Sequence, residues 1–232
     1  MIVFDGISLN SVAGIKVKDI HVSPIQYDEI TRPRAIQSGS VFVRSRAGIR
    51  TVQITFALLD ENKISRQASL MALSQWAKDD KEYKLELPGH PEFYLMAVCT
   101  EKPSPSLREW WESGLRLVFT CFENPYWTSK AEKSVSTNTQ FTVLGDAPPL
   151  MRIERTVSEA VANQGYSNGN ESMIFSTTPA GSLVVDLNRQ TAAVSGTDIM
   201  QYYYATNSFL IPRTGTQTIS GIGTIKYRER WQ

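Results

Sequence analysis

Ile15-Lys-Val-Lys-Asp-Ile20 alternates apolar and polar side chains with a period of two, the pattern of a strand with one face in a core. Ser40-Val-Phe-Val-Arg-Ser45 and Thr51-Val-Gln-Ile-Thr-Phe-Ala-Leu-Leu59 carry β-branched and aromatic residues in two more such runs. Between them, Arg44-Ser-Arg-Ala-Gly-Ile-Arg50 reads as the tip of a hairpin, with Gly48 supplying a positive φ. The period then changes. Leu70, Leu73, Trp76 and Ala77 recur three and four apart, and Ser65 fits an N-cap, so a helix is predicted from about Ser65 to Asp79. Its apolar stripe is a face to pack on a sheet. Strands resume at Tyr83 to Leu87, Phe93 to Thr100 and Leu115 to Phe122. Glu101-Lys-Pro-Ser-Pro-Ser-Leu107 is a stiff exposed connection, and at least one of Trp110 and Trp111 stays partly exposed unless a partner covers it.

The run Leu117-Val-Phe-Thr-Cys-Phe-Glu-Asn-Pro-Tyr-Trp127 divides two kinds of sequence. Asn124 and Pro125 stop the strand, because proline lacks the ladder donor and biases its predecessor away from helix. Tyr126 and Trp127 can then pack the joint shut. Beyond it lie short alternating runs rich in Ser, Thr, Asn and Gly, with sparse charge and no helical period. Gln140 to Leu144, Leu150 to Glu154, Ser172 to Ser176, Ser182 to Leu187, Thr191 to Val194, Ser208 to Ile211, Thr216 to Ile219 and Gly223 to Arg228 are strand candidates. Gly145-Asp-Ala-Pro-Pro149 and Gly165-Tyr-Ser-Asn-Gly-Asn170 read as breaks between them. Many short strands with close turns argue for a sandwich or barrel. Consecutive Tyr202, Tyr203 and Tyr204 must send at least one ring to each face.

Composition narrows the function classes. A chain of 232 residues suits one large domain or two ordinary ones, and 20% charged residues is typical of globular proteins. A formal net charge of +1 gives no global case for nucleic acid, membrane or acidic partners. The three arginines at the expected hairpin tip have no aromatic interleaving, so a solvated loop explains them better than phosphate readout. The start, Met1 to Gly6, lacks the basic and apolar regions of a signal peptide, and no apolar run is long enough to span a bilayer, so no membrane anchoring is expected. Cys99 and Cys121 sit inside apolar runs and read as buried thiols.

Candidate chemistry is thin. His21 and His90 are the only histidines, and His90 lies in the turn Pro88-Gly-His-Pro91. No Gly-x-Ser-x-Gly elbow and no metal-spaced histidine pair occurs. Gly221-Ile-Gly223 mimics the start of a dinucleotide loop but opens no helix. The reading is a structural or binding protein, not an enzyme, with no cofactor and no metal.

Phe4-Asp-Gly6, Arg50 to Leu59, Arg116 to Tyr126, Leu183-Val-Val-Asp-Leu-Asn188, Ser208-Phe-Leu-Ile-Pro212 and Lys226-Tyr-Arg-Glu-Arg-Trp231 follow one another in an order that resembles the distal tail proteins (Dit) of long-tailed siphophages and related tail-like particles. One departure is visible: Thr214-Gly215-Thr216-Gln217 stands where many relatives have a Gly-Xaa-Asn turn. The resemblance implies a mainly β chain. Residues 1–127 would be a β-sandwich belt domain with one helix, and residues 128–232 a galectin-like β-sandwich without an inserted carbohydrate-binding module. It also implies a virion protein of the tail tip, made in the host cytoplasm. Six copies would form a homo-hexameric hub ring joining the major tail tube protein to the tail-associated or baseplate hub protein, with DNA only passing through the lumen. Hexamer and lumen come from the resemblance alone.

On that reading Val41, Phe42, Arg44, Arg46, Gly48 and Arg50 are candidates for reaching a neighbouring subunit, although a hairpin folded on its own subunit explains them equally. Asn124, Pro125, Tyr126 and Trp127 would form the domain joint. The competing reading is a carbohydrate-binding module for host cell-surface glycan. Against it, residues 128–230 contain neither Trp nor His, leaving Tyr202 to Tyr204 as the only substitute platform. A cell-wall hydrolase would need an acid/base pair or metal site that the sequence does not assemble.

Overall fold

The computed structural model describes residues 1–33, 40–59, 63–103, 115–204 and 208–232. The chain is mainly β, with large antiparallel sheets and one α-helix among the described residues. It divides into two compact units, Met1–Trp127 with Gln232, and Thr128–Trp231.

The first unit contains β1 (Val3–Phe4), β2 (Ile7–Ser8), β3 (Ile15–Val22), β4 (Tyr27–Pro33), β5 (Ser40–Ala47), β6 (Arg50–Leu58), α1 (Lys63–Trp76), β7 (Tyr83–Glu86), β8 (Phe93–Glu101) and β9 (Leu115–Cys121). Its main sheet runs β3-β6-β9-β8-β7-β1-β2. The alternation of β6 is obeyed: Val52, Ile54 and Phe56 are fully buried while the residues between them are not. β8 pairs with β7 through Leu95 to Ala97 and with β9 through Val98 to Glu101, a stagger with a bulge after Cys99. Leu73 and Trp76 of α1, with Ala77 just beyond it, close the core, with Trp76 at 5.6 Å from Phe4 and 6.0 Å from Phe119. The Trp76 indole N–H donates to the Ile7 carbonyl at 2.9 Å, so the ring is buried without losing its hydrogen bond.

Two expectations for this unit need correction. The helix starts earlier and stops sooner than predicted, so Ser65 lies in its first turn and is not the N-cap. Lys78 and Asp79 are drawn off instead, into ion pairs with Asp5 at 2.6 Å and Lys102 at 3.0 Å. More consequentially, β5 and β6 form no hairpin. β6 is paired along both edges, by β3 and by β9, and has no edge left to offer. β5 pairs instead with β4, Tyr27 facing Ala47 and Pro33 facing Ser40, in a separate two-stranded ribbon with a bulge between Ile30 and Thr31.

The second unit follows β10 (Trp127–Ser129). It comprises β11 (Lys133–Ser136), β12 (Gln140–Val143), β13 (Ala147–Val157), β14 (Val161–Ser167), β15 (Ser172–Thr178), β16 (Gly181–Asp186), β17 (Thr191–Val194), β18 (Thr197–Asp198), β19 (Gly215–Thr218) and β20 (Thr224–Trp231). One sheet runs β18-β17-β16-β13-β20-β11. The pairs β12–β19 and β14–β15, bridged at Ser167 and Ser220, supply the facing strands. Ile153, Leu183, Val185 and Ile225 from the first sheet meet Phe141, Tyr166, Met173 and Phe175 from the second in one core. Apolar faces on two opposed layers with polar residues outward are what a sandwich needs.

Three details depart from the sequence reading. Pro148 and Pro149 do not end a strand, because β13 takes them into a register shift between Ala147 and Leu150 where no ladder donor is required. Gly165, Tyr166 and Ser167 belong to β14, so the turn is shorter than the composition implied. Ser208 to Ile211 is not a strand, although Phe209 and Leu210 still sit in the core.

Candidate assembly surfaces

Trp127 is buried at the end of the first unit by groups from three distant stretches of chain. Its ring lies 4.4 Å from the His90 imidazole at 45° and 5.8 Å from the Arg50 guanidinium carbon. Arg50, one of the residues assigned to the expected hairpin, opens β6 opposite Cys121 and is 4% exposed. The fold therefore brings together Arg50 and Trp127, which the sequence reading had placed in different candidate sets, and adds His90. Asn124 and Pro125 are buried beside them and Tyr126 is half-buried. Ile25 and the half-exposed Tyr27 complete an open cleft of about 400 Å³. The stacked imidazole, indole and guanidinium make a packing clamp.

Gly48 is not a projecting tip. Its N–H donates to the Gln26 carbonyl at 2.7 Å, and the Gln26 N–H donates to the Ile49 carbonyl at 2.9 Å. The Ser23 hydroxyl accepts from the Thr51 N–H at 2.9 Å, fastening the same crossing. Val41, Phe42, Arg44 and Arg46 lie on β5 opposite Arg32, Thr31, Ile30 and Asp28 of β4. The sequence reading missed β4 altogether. Tyr27-Asp-Glu-Ile-Thr31 alternates only loosely, and the charged residues hide the strand.

A second cleft, near Asp5 and Tyr83, alternates charge. Lys78 and Lys81 lie 5.0 and 5.2 Å from the Tyr83 ring, while its hydroxyl donates to Asp80 at 3.0 Å. Desolvation, then Asp80, pushes the Tyr83 phenol above its ordinary range. Burial raises the Cys99 thiol to about 11 and the Cys121 thiol to about 12, so neither is a thiolate near neutral pH.

In the second unit the outward face of β13 and β20 carries an ion network. Arg152 grips Glu132 through both terminal nitrogens at 2.9 and 3.0 Å and reaches Glu154 at 2.6 Å. Lys226 meets the other oxygen of Glu154 at 2.7 Å. Elsewhere, Glu171 accepts from the Asn168 amide, the Ile211 N–H and Arg213, tying residues 211–213 to the turn before β15. Among the three tyrosines, Tyr203 packs on Phe175 and Phe209, whereas Tyr204 is 43% exposed with its hydroxyl 3.4 Å from Asn163. No group of metal-ligating side chains occurs among the described residues.

No family model matches the sequence, and no curated protein matches it. Solved structures do. The crystal structure of SPP1 Dit, described as a paradigm of the hub adsorption apparatus in phages infecting Gram-positive bacteria, superposes with a TM-score of 0.75, covering 100% of this chain and 98% of that one at 13% identity. This chain has the Dit fold. A chain of the phage P2 baseplate, in its activated conformation with Ca, matches at a TM-score of 0.52 with 6% identity, covering 96% of this chain and 92% of that one. The Dit likeness extends over the whole length, first unit and second unit alike.

Proposed function

We propose that this chain is a structural protein of a phage, prophage or phage-like tail tip, a distal tail hub whose copies close into a hexameric ring. The ring would join the tail tube to the tail-associated or baseplate proteins. The supporting observation is the full-length likeness to SPP1 Dit, in which both units and their order along the chain find counterparts. The first unit would be the ring-forming belt and the second a galectin-like sandwich. On this reading the protein has no catalytic role, and its place is the virion tail.

The β4–β5 ribbon is the element best suited to close the ring. A two-stranded ribbon is marginal by itself and gains stability by packing on another surface. β3, the open edge of the main sheet, is a poor candidate: Lys16 and Lys18 and the bulge between Val17 and Asp19 are features that discourage edge pairing. A heterologous contact repeated around a rotation axis closes without free edges. A lumen that passes DNA without gripping it suits a chain with a net charge of +1.

Tyr27 and Ala47 are register partners, so residues 28–46 can be excised and the ends rejoined by a tight turn. The shortened protein should keep its near-ultraviolet tryptophan signal and lose ring formation in size-exclusion chromatography with light scattering. Rings that persist would remove the ribbon from the mechanism.

A second reading, recognition of host cell-surface glycan, is favoured only by the exposed ring of Tyr204 beside Asn163. Binding of the whole protein on a glycan array, lost in Tyr204→Ala, would support it.

A further inference from the structure

Asn168 is the one asparagine of the chain that is followed by glycine. It opens the loop between β14 and β15, where its backbone N–H donates to the Glu171 carbonyl at 3.1 Å. Its side-chain amide is held at both ends. Oδ1 accepts from the Asn170 N–H at 3.0 Å and from the Glu171 N–H at 2.8 Å, while Nδ2 donates to Oε2 of Glu171 at 2.8 Å. Two N–H donors on one amide oxygen draw electron density from Cγ and stabilise an oxyanion that forms there. The next residue carries a nucleophile. The Gly169 N–H donates to the Ser167 hydroxyl at 3.2 Å, so an acceptor stands where its proton must leave. Gly169 is exposed at a φ of +90°, and a Cβ there would meet nothing within 4 Å, so neither a side chain nor a packed neighbour crowds that nitrogen.

We propose that Asn168-Gly169 is a self-modifying site, converting to aspartate and isoaspartate through a cyclic imide and thereby unfastening residues 211–213. The Gly169 nitrogen attacks Cγ of Asn168, and its proton passes by way of Ser167 to the solvent. The Cγ–Nδ2 bond breaks and ammonia leaves. Water then opens the five-membered imide at one of its two carbonyls. Opening at Cγ gives aspartate; opening at the backbone carbon gives isoaspartate, with the main chain now running through Cγ. Water enters and ammonia departs, so no oxidant or reductant is needed. The neighbours give the change a consequence. The Glu171 side chain is 11% exposed, and its carboxylate accepts from the Ile211 N–H at 2.9 Å and from Arg213. A carboxylate in place of the Asn168 amide would face that of Glu171 across the 2.8 Å now spanned by an N–H donor. Like charges so close repel, and Glu171 turns away from its three donors. The segment that leads out of the core from Phe209 and Leu210 then loses its latch. This inference concerns the second unit alone and does not depend on assembly.

Ageing the full-length protein at mildly alkaline pH tests it. Peptide mass mapping should show a gain of one dalton at position 168 about tenfold faster than at Asn138, Asn163 or Asn188, with two products separable by chromatography. Brief trypsin treatment of the native protein reads the latch, because Arg213 is itself a cleavage point. Cleavage after Arg213 should accelerate in step with the mass gain, and should be fast from the outset in Asn168→Asp. Asn168→Gln keeps an amide but would have to close a six-membered ring, so it should neither gain mass at position 168 nor change its cleavage rate with age. A mass gain at position 168 no faster than at the other three asparagines would overturn the site. Modified protein cut after Arg213 at the original rate, or equal acceleration in Asn168→Gln, would overturn the latch.

Discussion

Gly221 shows how far a single residue can be understood once the chain has folded. Its sequence context, Gly221-Ile-Gly223, only mimics the start of a dinucleotide loop; its structural reason is close approach. A Cβ at position 221 would stand 2.5 Å from a Tyr166 ring carbon and 2.9 Å from the Gly165 carbonyl oxygen, at a φ of +138°. Thr137 and Asn138 donate to the Gly221 carbonyl at 3.0 and 2.8 Å, and the buried Tyr166 hydroxyl donates to the Ile222 carbonyl at 3.1 Å. No local pattern announces this, since the partners lie more than fifty residues away. Gly221→Ala should cost about 1–3 kcal/mol, read as a lowered denaturation midpoint. An unchanged midpoint would show that the loop can move aside. Glu154 gives a pH prediction. Lys226, then Arg152, hold its carboxyl below the usual range. A carboxyl so lowered stabilises the fold above its unfolded value and loses that contribution as pH falls through the lowered folded value. The difference in Tm between wild type and Glu154→Gln should be widest near neutral pH and vanish under strongly acid conditions. Because the side chain is 29% exposed, the contribution should stay below about 1 kcal/mol.

At the scale of elements, legibility follows periodicity. β6 and the packing face of α1 are readable because burial on one side imposes a period that the residues keep. Leu73 has no exposed surface and Met71 is 60% exposed, so Leu73→Ala should destabilise by about 2–5 kcal/mol. Met71→Ala should change the midpoint of the dilute protein by less than about 0.5 kcal/mol in urea titration. Equal losses would mean that the two faces of α1 are misassigned. Pairing is less legible than existence. The runs that became β5 and β6 are strands, as expected, yet adjacency in sequence does not make them partners, because β3 and β9 already occupy both edges of β6. β14 hides behind turn-forming residues, and the buried segment at Phe209 and Leu210 imitates a strand by composition.

For the whole molecule, the shift in composition near Asn124-Pro125 and the ordered succession of short apolar segments point to Dit, and the fold agrees over the full length. The cluster of Arg50, His90 and Trp127 was not legible, because it joins positions whose separate contexts look like a strand start, a turn and a strand end. The surfaces that stand out are a two-stranded ribbon in the first unit and an ion-paired sheet face in the second. On the proposed reading these surfaces are completed by contact with other subunits. Negative-stain class averages of the purified full-length protein, taken with its mass by light scattering across a concentration series, test that claim most directly. The account predicts closed six-fold rings with an open centre; a monomer at every concentration, with residues 28–46 deletable without effect, would contradict it.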